Sequence, residues 1–151
     1  MATDPKTLVS RGYDEIAEAY LERFGRSLVR ADKLREFIRD MPPRSKILDL
    51  GCGAGTPIAS ELVALGFDVT GVDSSARQIA LAKNNVPNAS FLQADMTTVD
   101  LPVASFDGIC AFYSITHIPR DEQGPLLKRI ASWLKPNGLF VGSFGIAAGD
   151  W

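Results

Sequence analysis

Apolar positions along the chain follow two different periods. From residue 46 onward, short apolar runs at 46–50, 68–72, 90–94, 107–112 and 138–144 read as buried strands. Between them, apolar residues recur every three or four positions and predict helices over about 57–65, 75–84 and 121–134. Strands separated by helices imply parallel pairing through crossover connections. Residues 4–40 read as helical, with Asp4 as a cap, Pro5 at the first helical position, and Gly12 and Gly25 dividing the region. In "YDEIAEAYLERF", Tyr13, Ile16, Ala17, Tyr20 and Phe24 fall three or four apart, so one face is apolar. Gly66 predicts a left-handed cap, Ser74 or Ser75 an N-cap, and "KPNG" at 135–138 the end of the last helix, whose main part starts at Pro125. The expected organisation is a helical segment at 1–40 followed by an α/β core at 41–151 within one structural domain.

Composition narrows the function classes. A chain of 151 residues buries roughly 70% of its unfolded surface and needs no staples. The formal charge of −2 gives no general attraction to nucleic acid or anionic membrane, so neither is expected as a partner. No apolar run is long enough to cross a bilayer, and "MATDPKTLVSRGYDE" lacks the apolar core of a secretion signal, so the expected location is cytoplasmic. The two cysteines, Cys52 and Cys110, form no ligand pattern with the sole histidine, His117, and no metal site is expected. Cys110 falls inside an apolar strand and reads as core. Cys52 sits between loop glycines, where a small side chain suffices, although a catalytic thiol is the competing reading.

The chemistry concentrates at strand ends, where open parallel sheets bind ligands. "KILDLGCGAGTP" sets Asp49 beside Gly51, Gly53 and Gly55, a glycine-rich turn between strand and helix. Asp73 closes the second strand, 22 residues after Gly51, where a carboxylate can accept from both hydroxyls of a ribose. Asp95, after the third strand, can accept from an adenine amino group, with Met96 packing beside the ring. A pyrophosphate at the glycine turn would be repelled by Asp49, and the spacing is GxGxG rather than the dinucleotide GxGxxG. Both observations disfavour a nicotinamide cofactor. A ligand with adenosine at one end and a cationic amine or sulfonium at the other suits the set, and S-adenosylmethionine has both.

The ordered segments "ILDLGCGAGTP", "VTGVDSS", "FLQADM", "FDGICAFYSITHIP" and "LLKRIASWLKPNGLFVGSF" resemble the successive motifs of class I S-adenosylmethionine-dependent methyltransferases of the small-molecule type. The resemblance implies a Rossmann-like three-layer sandwich with a mainly parallel sheet of order 3-2-1-4-5. It implies cofactor contact by Asp49, Gly51, Cys52 and Gly53, by Asp73 and Ser74, and by Asp95 and Met96, with Phe112 in the fourth motif. It also makes "YDEIAEAY" a helical lid, so Tyr13 and Tyr20 are candidates to close over the cofactor, with core packing an equal reading for Tyr20. His117 follows the fourth strand and is the candidate general base, or else a residue that fixes the loop before Pro119. The implied activity is methyl transfer to a small-molecule acceptor with S-adenosylhomocysteine as product; the alternative is a module that binds either compound and catalyses nothing. The family's last helix and two strands have no counterpart here, so the chain is expected to be a fragment or a short form that borrows cover. The apolar edge "GLFVGSF" is then expected to drive self-association.

Overall fold

The computed structural model describes residues 4–24 and 27–145, without the side chains of residues 5 and 17–24. Two helices, α1 (Pro5–Phe24) and α2 (Leu28–Ile38), precede an alternation of β1 (Lys46–Leu50), α3 (Ile58–Ala64), β2 (Asp68–Asp73), α4 (Ala76–Asn85), β3 (Ser90–Gln93), β4 (Phe106–Ala111), α5 (Arg120–Trp133) and β5 (Leu134–Gly142). The five strands form one sheet in the order β3-β2-β1-β4-β5, with every pairing parallel. This is the parallel α/β arrangement expected from the alternation, in the Rossmann-like order that the resemblance implies.

Near-continuous apolar strands mark a sheet covered on both faces. Leu48, Leu50, Val72, Ile109 and Ala111 pack with Leu126, Ile130 and Trp133 of α5. On the opposite face, Ile47, Val69 and Cys110 pack with Leu34 and Phe37 of α2 and with Ile58, Ala59 and Leu62 of α3. Gly108 permits α2 to seat there, because a Cβ on it would stand 2.5 Å from Met41 Cε and 2.7 Å from Phe37 Cζ. The helix ends follow local chemistry. Asp4 Oδ1 accepts from the Lys6 N–H ahead of α1, and Ser75 Oγ accepts from the Gln78 N–H to cap α4. After α3, Gly66 at φ +87° lets its own N–H reach Val63 O while the Phe67 N–H reaches Leu62 O.

Several expected boundaries differ. Helix α1 runs unbroken through Gly12, while Gly25 lies outside the described residues. Ile16, expected on the apolar face, is 50% exposed. Helix α5 starts at Arg120, immediately after Pro119, and continues through Pro125. It ends at Trp133 rather than at "KPNG", because Leu134 already pairs with Phe106 of β4. The next matched pair is Gly108 with Leu139, so five steps along β5 oppose two along β4, and the extra residues form a bulge. Asn137 at φ +64° turns the bulge, and Lys135 Nζ fastens it to the Asp107 carboxylate at 2.9 and 3.0 Å.

Candidate active site

The chain reverses its build direction between β1 and β4, and the carboxyl ends of these strands open into a cavity of about 530 Å³. The loop after β1 forms its floor. Gly51 has φ +75°, and a Cβ there would lie 2.2 Å from Ser114 Cβ, so both conformation and space exclude a side chain. The Gly51 and Cys52 N–H groups donate to Val72 O at 2.7 and 3.1 Å, and Ser114 Oγ donates to Leu50 O at 2.8 Å. These bonds lock the loop between β2 and the turn after β4.

Asp49 lies on the α2 and α3 face of the sheet, beside Cys110 on β4. The Cys110 thiol donates to Asp49 Oδ1 at 3.7 Å, whereas Oδ2 is buried without a hydrogen-bond partner. Burial raises the Asp49 pKa to about 7; the Cys110 hydrogen bond opposes the rise, Asp73 adds to it, and Arg30 lowers it. Arg30, on α2, is itself buried and lines the same cavity. Both thiols are pushed well up, foremost by burial and then by Asp49, so Cys52 is protonated at neutral pH and is no nucleophile.

At the end of β2, Asp73 Oδ2 accepts from the Gly53 N–H and Oδ1 from the Ser75 N–H, each at 2.9 Å. Burial still leaves its pKa raised against those two bonds. Ser74 is exposed at the rim. After β3, Asp95 Oδ1 accepts from both the N–H and the hydroxyl of Thr97 at 2.8 Å, and Oδ2 pairs with Lys6 Nζ at 2.9 Å. Burial acts to raise the Asp95 pKa, but the Thr97 and Lys6 bonds hold it below the ordinary value.

The wall opposite the sheet comes from α1. Lys6 Nζ reaches Glu122 Oε2 at 2.8 Å and Thr97 Oγ1 at 3.1 Å besides Asp95, joining α1 to the β3 loop and to α5. Asp14 accepts from Ser75 Oγ and, at 3.2 Å, from the Arg77 N–H. Tyr13 OH lies 2.8 Å from His117 Nε2, with the rings edge to face at 5.5 Å. His117 closes the single 3₁₀ turn Ile115–His117 and is half-buried, and burial lowers its pKa. Its neutral Nε2 can accept from the phenol. Tyr113, just beyond β4, holds φ +56° and joins Ser27 at 3.1 Å through its hydroxyl.

Tyr13, Asp49, Gly51, Cys52, Gly53, Asp73, Ser74, Asp95, Met96, Phe112 and His117 therefore all line one cavity. Of the candidates, Tyr20 alone has its side chain outside the described residues. Lys6, Arg30 and Gln78 line the cavity too and were missed. Each sits in a helix whose pattern reads as solvated or apolar packing, and only the pairing of distant segments shows its role. An unpartnered buried carboxylate oxygen, a glycine loop open to close approach and a second acid with backbone-held oxygens fit an aminoacyl nucleoside.

The parallel sheet and its glycine loop define a Rossmann-like ligand-binding domain. Within that class, the chain belongs to the S-adenosylmethionine-dependent methyltransferases: the methyltransferase domain family matches residues 47–138. The chain is 42% identical over 100 residues to a ubiquinone biosynthesis O-methyltransferase of Bradyrhizobium diazoefficiens, covering 64% of this chain and 38% of that protein. It is 32% identical over 163 residues to the protein of the same name from Nitrobacter winogradskyi, covering 92% and 61%. Among solved structures, Haemonchus contortus phosphoethanolamine N-methyltransferase 2, in complex with S-adenosyl-L-methionine, superposes with a TM-score of 0.77 at 24% identity, covering 91% of this chain and 35% of that one. The chain thus spans less than two thirds of these relatives, and the last match speaks for fold alone. No described helix is long and apolar enough to cross a membrane.

Proposed function

We propose that the chain binds S-adenosylmethionine and transfers its methyl group to a small-molecule acceptor. The observation that carries this reading is Asp49: a buried carboxylate with one oxygen left unpartnered beside the glycine loop calls for a cation. The ammonium of the methionine moiety meets that need, and Arg30, buried nearby, suits its carboxylate. Asp73 meets the ribose, with Ser74 at the rim. Asp95 and Met96 flank the adenine, and Gly51, Cys52 and Gly53 bring backbone close to the ligand. Phe112 and Tyr13 complete the enclosure.

Held by these residues, the cofactor would supply a sulfonium-borne methyl group for transfer to an acceptor lone pair, with the thioether of S-adenosylhomocysteine as leaving group. The chain's own task is to hold the two reactants in line, which removes up to roughly 7–11 kcal/mol of entropic cost. His117, kept neutral by burial, takes the Tyr13 hydroxyl proton at Nε2 as the Tyr13 oxygen takes the proton of an acceptor hydroxyl. Relatives named as O-methyltransferases make phenols the first acceptors to try. The experiment is calorimetry with S-adenosylmethionine, S-adenosylhomocysteine and NAD, followed by a radiolabelled methyl assay across phenol, amine and thiol acceptors. Binding of the first two with label in a product supports the reading. Binding without transfer reduces the chain to a binding module, and preference for NAD overturns both.

A further inference from the structure

Residues 75–78 spell S-x-x-Q, which by itself makes a reciprocal helix cap: the serine hydroxyl accepts from the glutamine N–H, and the glutamine side chain accepts from the serine N–H. Only the first half forms. The Gln78 N–H donates to Ser75 Oγ at 3.0 Å, but the Ser75 N–H is taken by Asp73 Oδ1 at 2.9 Å. Gln78 is left 3% exposed with its Oε1 buried and without a hydrogen-bond partner. Buried carbonyl oxygens are rarely left unpaired in folded proteins, so this one asks for a donor.

The position of the amide says where that donor comes from. Oε1 lies 3.8 Å from the point a Cβ on Gly53 would occupy, and the Gly53 N–H donates to Asp73 Oδ2 at 2.9 Å. Gly53 is thereby flanked by a carboxylate and an amide, and all three residues line the cavity. Each Asp73 oxygen already accepts one backbone N–H and keeps one further acceptor site, and the buried Gln78 Oε1 adds another acceptor beside this partly used carboxylate. We propose that Gln78 is a second sugar-reading residue, accepting from one hydroxyl of a vicinal diol while Asp73 accepts from the other. The site thus selects nucleosides that keep both ribose hydroxyls, because an analogue lacking one leaves a buried acceptor unpaired. This rests on the cofactor assignment above and goes beyond it in naming how the sugar is discriminated.

The test titrates the 151-residue chain with S-adenosylhomocysteine and with its 2′-deoxy and 3′-deoxy forms. Wild type is expected to bind the parent more tightly than either deoxy form. Gln78→Leu is expected to weaken the parent by about two- to tenfold, the range for one neutral hydrogen bond, and to leave one deoxy form bound as well as by wild type. Gln78→Glu keeps an acceptor and should keep the preference. Gln78→Met, unbranched and without a carbonyl, gives the same comparison if leucine disturbs folding. An unchanged affinity for the parent, or an equal loss for the parent and both deoxy forms, would overturn the sugar-reading role. Failure of wild type to bind S-adenosylhomocysteine at all would instead overturn the cofactor assignment.

Discussion

Burial of Asp49 beside Cys110 has a cost that a ligand can relieve. Its pKa of about 7 lies above the ordinary carboxylate value of 3.8, so the folded chain holds the proton more tightly than the unfolded chain. The stability contributed by this group is complete below about pH 4 and is lost as pH rises through 7, on the order of 4 kcal/mol for a shift of this size. Asp49→Asn should therefore gain on the ligand-free wild type steadily between pH 4 and pH 8 in thermal unfolding, while losing about tenfold to a hundredfold in S-adenosylmethionine affinity. Parallel melting temperatures across that range would dismiss the assigned burden. His117 sets a second expectation. Because Nε2 faces the Tyr13 hydroxyl rather than the glycine loop, His117→Ala should lower methyl transfer by 10²-fold or more and cofactor affinity by far less. Equal losses in both would make it a structural residue.

At the scale of elements, α1 is held over the cavity by polar contacts between distant segments. Lys6 is 20% exposed and pairs with both Asp95 and Glu122, which without it would be two carboxylates facing one another. Lys6→Met should loosen α1 by about 1 kcal/mol, read as roughly fivefold faster amide exchange in residues 5–24 with β1 and β4 unchanged. Uniform exchange across the chain would show that the pair does not secure the helix. The same contact marks the boundary of what the sequence discloses. The strands and the acids Asp49, Asp73 and Asp95 were legible because apolar runs and glycine spacing are local signals, whereas the strand order came from the family resemblance. Lys6 was not, since two of its partners, Thr97 and Glu122, lie 91 and 116 positions away. Nor was the freed Gln78 amide, because a capping motif reads as satisfied until a neighbouring carboxylate takes its donor. Strand β5 started early for a related reason: pairing of Leu134 with Phe106 outweighs the turn chemistry of Lys135 to Gly138, which then bulges.

For the whole molecule, the cavity and the edge expected to drive assembly lie on separate surfaces. The cavity is lined by residues of α1, α2, α4, the first residue of α3 and the segments around β1 to β4, and none of them belongs to β5. Strand β5 is an outer strand of the sheet and has no partner beyond it among the described residues. Leu139 on it is 48% exposed, and Phe144 just past it is 45% exposed. An apolar edge with open backbone donors and acceptors pairs with a second copy unless charge or cover prevents it. The 151-residue chain is therefore expected to scatter light as a dimer of the 16.3 kDa monomer at micromolar concentration. Leu139→Lys, which places a charge at an already exposed edge position, should move it toward monomer without changing S-adenosylhomocysteine affinity. A wild-type chain that stays monomeric as its concentration rises would rule out the edge as an assembly surface. Dimer loss accompanied by loss of binding would show that the edge and the cavity are coupled after all.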